Sequence, residues 1–150
     1  MINLEIASIM KFLIEAADSP HPYYHNIPEN FLIPAIFFPQ TIINSRGFTL
    51  GTYALEYSWH IKFFAKDTQL SQAMAFASAN AIQYTRNRIP IIDVSGNLTD
   101  NFLRLKAPSI RPVSDGVVQL SLSWESSHYY KREEIPAMEI LELIKFKTRG

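Results

Sequence analysis

Tyr53-Ala54-Leu55-Glu56-Tyr57-Ser58-Trp59-His60-Ile61-Lys62-Phe63 places six large apolar residues at strict every-other spacing, with small or polar residues between them. Only an extended strand sends those two sets to opposite faces, because side chains alternate along a pleated backbone. Val118, Leu120, Leu122 and Trp124 repeat the pattern against Val117, Gln119, Ser121 and Ser123. Both segments are therefore sheet strands with one covered face and one that is wet or contacted. Phe48 to Ala65 is longer than a usual strand, which predicts a break near Gly51 or a hairpin projecting beyond its sheet.

Helical spacing flanks these strands. Ile2, Ile6, Ile9, Met10, Leu13 and Ile14 form an amphipathic stripe over residues 2–17, closed by Asp18-Ser19-Pro20. After Lys66, either Asp67 or Thr68 caps a second helix whose stripe is Leu70, Ala73, Met74, Ala77, Ala81 and Tyr84; Arg86 and Arg88 supply positive charge at its end and Pro90 stops it. Residues 19–30, with three prolines among His21, Tyr23, Tyr24, His25 and Asn26, read as an exposed loop. Phe31 to Phe38 reads as an edge or bulged strand because of Pro34, and Ser45-Arg46-Gly47 as a turn. Ser95-Gly96-Asn97 joins Ile91–Val94 to a strand at Phe102–Lys106. Residues 137–147 fit a helix, with Glu139 and Glu142 ahead of Lys145 and Lys147, although they also alternate passably. The fold class is α+β: a mixed or antiparallel sheet packed against an N-terminal helix and a central Ala-rich helix, with a C-terminal extension.

Composition narrows function by exclusion. The chain has 150 residues, 47% of them hydrophobic and 19% charged, which suits one folded domain. No cysteine is present, which removes disulfides, thiolate nucleophiles and Cys-based zinc sites. Fourteen basic residues balance fourteen acidic ones, so no net field draws the chain to nucleic acid, and Arg86, Arg88, Arg104, Lys106, Arg111, Lys131 and Arg132 read as solvated charges. No run reaches the roughly 18 apolar residues of a spanning helix, and the start lacks a secretory pattern, so the expectation is a cytoplasmic protein with no membrane partner.

Site chemistry is equally sparse. His21 and His25 have an i, i+4 spacing but fall in the proline-rich loop without a third ligand nearby, so no metal is expected. The stretch from Asp93 to Asp100 resembles a calcium loop but has Leu98 where the sharp turn needs glycine and Arg104 where a bidentate Glu belongs. No Gly-x-Ser-x-Gly elbow or phosphate-cradling loop occurs, and no carboxylate pair has a context that raises a pKa. The reading is a non-enzyme with no cofactor, no catalytic residue and no metal site. Trp59 and Trp124 continue apolar faces and belong to the core, whereas adjacent Tyr129 and Tyr130 must point to opposite faces, leaving at least one for contact. A small ligand-binding or enzymatic α+β domain is the alternative of a different class, and it would require the four histidines to converge.

The stretches Arg46-Gly47-Phe48-Thr49-Leu50 through Phe63-Phe64-Ala65-Lys66, Ala81 through Ile91, and Asp115-Gly116-Val117 through Trp124 stand in an order that resembles the tail terminator, or tail completion, proteins of bacteriophages. The likeness is to those of phages and phage-tail-like particles of low-GC Gram-positive bacteria, and covers residues 1–132 as a single domain, leaving 133–150 as an extension or arm. The resemblance implies a structural protein forming a ring, usually a hexamer. That ring docks on the last ring of tail-tube protein, stops its polymerisation, and offers a surface to a head connector or, in a contractile tail, to the last sheath ring. It implies assembly in the host bacterial cytoplasm followed by residence in the particle. Tyr23, Tyr24, His25, Arg46, Phe48, Arg86, Arg88, Tyr129, Tyr130, Lys131 and Arg132 are the expected contact residues. A neck, head-completion or baseplate component is the nearest alternative.

Overall fold

The computed structural model describes residues 3–47 and 49–129, Tyr129 by its backbone alone. The expected contact residues Phe48, Tyr130, Lys131 and Arg132, the helix or strand at 137–147 and the arm at 133–150 lie outside them. Among the described residues, two helices and eight strands follow in the order α1 (Leu4–Ala16), β1 (His21–Tyr24), β2 (Ala35–Phe38), β3 (Ile42–Gly47), β4 (Thr52–Phe64), α2 (Thr68–Tyr84), β5 (Arg88–Ile92), β6 (Leu98–Arg104), β7 (Ser109–Ser114) and β8 (Val117–Tyr129). The fold is α+β, as the sequence predicts.

One sheet of six strands has the order β1-β2-β4-β8-β7, with β3 also paired to β4, and β5 and β6 form a separate pair. The β1–β2 pair is parallel and the other pairs are antiparallel. The alternation set out above fixes the register. Tyr57, Trp59, Ile61 and Phe63 stand opposite Trp124, Leu122, Leu120 and Val118, so two apolar rows interlock on one face. All eight are buried, and α1 supplies Ile9 and Leu13, α2 supplies Ala75 and Ile82, and the small sheet supplies Ile89 and Leu103 to the same core.

Along one edge of β4 two strands share the work. β2 pairs with Lys62–Phe64 and β3 with Tyr53–Ser58, so the chain steps past the middle of β4 at Pro39–Thr41. There the Trp59 indole N–H donates to the Pro39 carbonyl at 2.6 Å. Beyond that step β3, β4 and the end of β8 form a three-stranded projection. β4 starts after Gly51, so both expectations for the long segment hold.

Five local readings are corrected. Ser45, Arg46 and Gly47 belong to β3 rather than to a turn, because pairing with Ala54 and its neighbours satisfies their backbone. His21–Tyr24 is a strand despite Pro22: its N–H deficit falls at the sheet edge, where no ladder partner is needed. β2 is interior, flanked by β1 and β4, and starts after Pro34. The buried stripe of α2 is Ser71, Ala75, Ser78 and Ile82, whereas Leu70, Ala73, Ala77 and Tyr84 face outward. Finally, α2 ends at Tyr84 with no basic residue in its last turn: Arg86 and Asn87 adopt φ of 59° and 62°, and Pro90 lies within β5. Asp67 is the cap, its carboxylate accepting from the Leu70 N–H at 2.8 Å, while the neighbouring Thr68 hydroxyl accepts from the Gly116 N–H at 2.9 Å.

Candidate interaction surfaces

Polar chemistry collects on the open face of the sheet. His60 Nδ1 and Ser121 Oγ are 3.1 Å apart, and the Gln119 amide donates to Ser121 at 3.1 Å. This pair lacks what a nucleophile needs, since an amide rather than a carboxylate neighbours the imidazole and Ser121 stands on a flat strand instead of a strained turn. It works as a cross-strand ladder. His128 stacks on Tyr53 at the far end of the sheet and His21 lies on β1, so the histidines do not converge. Among the described residues no three His, Cys, Asp or Glu side chains gather as a metal site, and no helix is long and apolar enough to cross a membrane.

The expected contact residues fall in three places. At the β1 edge, Tyr23 is committed internally: its hydroxyl accepts from the Leu32 N–H at 2.8 Å and its ring meets Phe31 edge-on. Tyr24 stacks on Phe38 but stays half-exposed, and His25 is exposed at φ 67°. On the projection, Arg46 bridges Glu56 at 2.6 Å and Glu125 at 2.9 Å, across three strands. The Arg46 guanidinium holds the Glu125 carboxyl below its ordinary pKa. The backbone of Tyr129 ends the same projection, opposite Thr52. Arg86 and Arg88 lie apart from both, Arg86 just before the small sheet and Arg88 at the start of its strand β5, over the Phe102 ring at 5.8 Å.

Two surfaces escaped the sequence reading. β3 is exposed at every residue, including Ile42 and Ile43, and among the described residues its outer edge pairs with nothing. The other two edges are blunted, β1 by Pro22 and β7 by Pro112 and a register shift next to it. β3 has neither proline nor bulge. The second surface is an apolar groove of about 590 Å³ between the end of α1, the Ile33–Pro34 turn and the outward stripe of α2. The signal for both was present, as an Ile-Ile pair before a polar strand and an Ala stripe beside Leu70, but each also fits a buried role.

Glu5 is a half-buried acid whose surroundings shift its titration. It lies in the first turn of α1, where Asn3 caps the helix by accepting from the Glu5 and Ile6 N–H groups. Burial pushes its carboxyl above the usual value of 4.5, an effect that the Trp124 indole and His128 partly offset. Among the described residues neither Glu5 Oε2 nor Trp124 Nε1 has a hydrogen-bond partner within bonding distance. The folded state thus keeps a proton that the unfolded chain has already released, and stability falls as pH rises from about 4.5 through the raised pKa. Glu5→Gln removes this dependence: thermal midpoints measured from pH 4 to 7 decline less steeply on the alkaline side in the variant. Parallel profiles would show that Glu5 is not desolvated.

No family profile matches the chain. The protein XkdJ of the phage-like element PBSX of Bacillus subtilis (strain 168) is 28% identical over 142 residues, covering 95% of this chain and 97% of its own length. The uncharacterized protein YqbJ of the same organism is 30% identical over 147 residues, 98% of each chain. Among solved structures, a chain of the virion of a native gene transfer agent particle is similar over 83% of this chain and 93% of its own, at 12% identity and a TM-score of 0.47.

Proposed function

The chain belongs to the family of the Bacillus subtilis proteins YqbJ and XkdJ, and from that membership we propose that it is a structural component of a phage or phage-tail-like particle. Its place is at the head-proximal end of the tail tube, as a ring that ends polymerisation. The observation that carries the particle role is the match, over nearly the full length of both chains, to a protein of a phage-like element.

The terminating role is supported by the resemblance of the strand and helix segments to tail terminators and by the shape of the surface. A ring is made of heterologous contacts, in which a patch on one subunit meets a different patch on the next. An unprotected strand edge offers such a patch, because its free N–H and C=O groups pair with any extended backbone laid beside it. The β3 edge, carried on the projection with Ile42 and Ile43 exposed, is where this chain presents one. Capping follows when one ring face accepts the last tube ring and the other lacks a surface for the next tube subunit. The nearby Arg46 ion pairs hold the projection in register, and Tyr24, His25, Arg86 and Arg88 are contact residues toward tube, sheath or connector. No catalysis is assigned to the chain.

Light scattering tests the ring. The mass of the purified protein, alone and mixed with its cognate tube protein, is expected to correspond to a closed ring of about six copies under at least one of the two conditions. A monomer under both conditions would overturn the ring, and binding to neck or baseplate proteins instead of tube would move the chain to those positions.

A further inference from the structure

The small sheet holds two like charges against each other. Arg88 on β5 is the direct cross-strand partner of Arg104 on β6, and both are exposed. Cβ atoms of directly opposed residues stand about 5 Å apart, a spacing at which like charges destabilise an antiparallel pair. A third cation, Arg86, lies in the turn that leads from α2 into β5. Among the described residues none of the three has a carboxylate within ion-pair distance, whereas Arg46 on the projection has two.

The backbone beneath these cations is fixed. The Arg86 N–H donates to the Gln83 carbonyl and the Asn87 N–H to the Ile82 carbonyl, both at 2.9 Å, and the Asn87 carbonyl accepts from the Leu105 N–H at 2.7 Å. These bonds tie the end of α2 to the small sheet, whose inner face is anchored in the core by Ile89 and Leu103. Phe102 shares the outer face of β6 with Arg104, is 57% exposed, and has the Arg88 guanidinium 5.8 Å from the centre of its ring. The result is an apolar platform beside guanidinium groups that are already in place.

Cations arranged in this way fit an anionic partner. A nucleic acid would bring a run of phosphates along the strand, and Asp100, two positions before Phe102 on the same face of β6, opposes such a run. The chain also carries no net charge to draw a polyanion in. One or two carboxylates beside an apolar side chain cover the patch without reaching Asp100, and a guanidinium fork matches a carboxylate in two-point geometry. We propose that Arg86, Arg88, Arg104 and Phe102 form a docking site for an acidic segment of a partner protein. Its carboxylates lie between the arginines and an apolar side chain lies on the Phe102 ring. The arginines repel each other in the isolated chain and are relieved when the carboxylates arrive. The site gives a chemistry to the contact role assigned above to Arg86 and Arg88, and it rests on that reading only for which protein of the particle carries the segment.

Fluorescence anisotropy of labelled hexaglutamate tests the site on the full-length protein at low salt, with hexalysine and a short oligothymidylate as comparison probes. Hexaglutamate is expected to bind and the other two are not. Replacing Arg88→Gln and Arg104→Gln together is expected to weaken binding about tenfold, the product of roughly threefold for each guanidinium lost at an exposed site. Arg111→Gln, an exposed arginine on β7, is expected to bind as the unaltered chain does. Arg104→Gln alone is expected to keep or raise the thermal midpoint at low salt, because it removes the repulsion; an arginine with a structural role would lower it. Absence of binding, equal affinity of the double variant, tighter binding of oligothymidylate, or a lowered midpoint in Arg104→Gln would overturn the proposal. So would binding that appears only after Glu133→Gln and Glu134→Gln, since the chain's own acids would then be the occupant. No tail protein enters these measurements, so failure of the tail reading leaves their outcome unaffected.

Discussion

Trp59→Ala is expected to remove about 3–5 kcal/mol of folding stability, the range for deleting a large aromatic from a packed core. Trp59 is 1% exposed and packs against Phe38 and Trp124, with ring centres at 5.4 and 6.2 Å. Those neighbours come from β2 and β8, so the cavity would open where three strands and the crossing from β2 to β3 depend on one side chain. Loss of the bond to the Pro39 carbonyl adds to the cost, although that carbonyl belongs to a half-buried residue and water can replace the donor in part. Domains of this kind have a total stability of about 5–15 kcal/mol, so the variant stands near the limit of folding. Urea denaturation of Trp59→Ala beside Trp59→Phe separates the two effects. The Phe variant keeps most of the volume and is expected to lose about 1 kcal/mol, near the net value of one hydrogen bond. A Trp59→Ala loss no greater than that of the Phe variant would show that the core does not close over this ring.

The second large effect lies in the turn between β7 and β8. Gly116 has φ +74°, and a Cβ there would stand 2.7 Å from the Ala65 carbonyl oxygen, a backbone atom that cannot swing aside. The same glycine is a junction. Its carbonyl accepts from the Ala65 N–H at 3.0 Å and from the Ser71 hydroxyl, and its N–H donates to Thr68. Through those bonds the turn is tied to the start of α2. Gly96 provides the internal control, with φ +85° and nothing within 4 Å of its notional Cβ. Both Gly→Ala variants meet the cost of a left-handed backbone, about 1–2 kcal/mol. Gly116→Ala meets the clash in addition and is expected to lose at least about twice as much as Gly96→Ala, since shifting a packed backbone disturbs the bonds anchored on it. Equal losses would mean that the turn and the β4–α2 junction move independently.

Alternation made β4 and β8 legible because each has one face in the core and one in the open, which is the circumstance in which period-two patterning is strict. Trp59 and Trp124, read as core, are buried. The edges were less legible. β1 and β7 carry proline where a central strand would exclude it, and β3 has no alternation because neither of its faces is covered at depth. The α2 stripe was displaced by one position because alanine fits either face of a helix, while the buried positions include Ser71 and Ser78, which hydropathy counts as polar. The same ambiguity concealed the groove. Of the contact residues, Arg46 and the end of β8 meet on the projection as a consequence of register, whereas Arg86 and Arg88 are separated from them by topology that no local pattern encodes.

Termination of the tube is the central functional proposal, and its most direct test is negative-stain imaging of cognate tube protein polymerised with increasing amounts of this chain. The expected result is shorter tubes as the ratio rises, with added density of sixfold symmetry at one end only and none along the wall. Tubes of unchanged length with bare ends, or density spread along the wall, would contradict it.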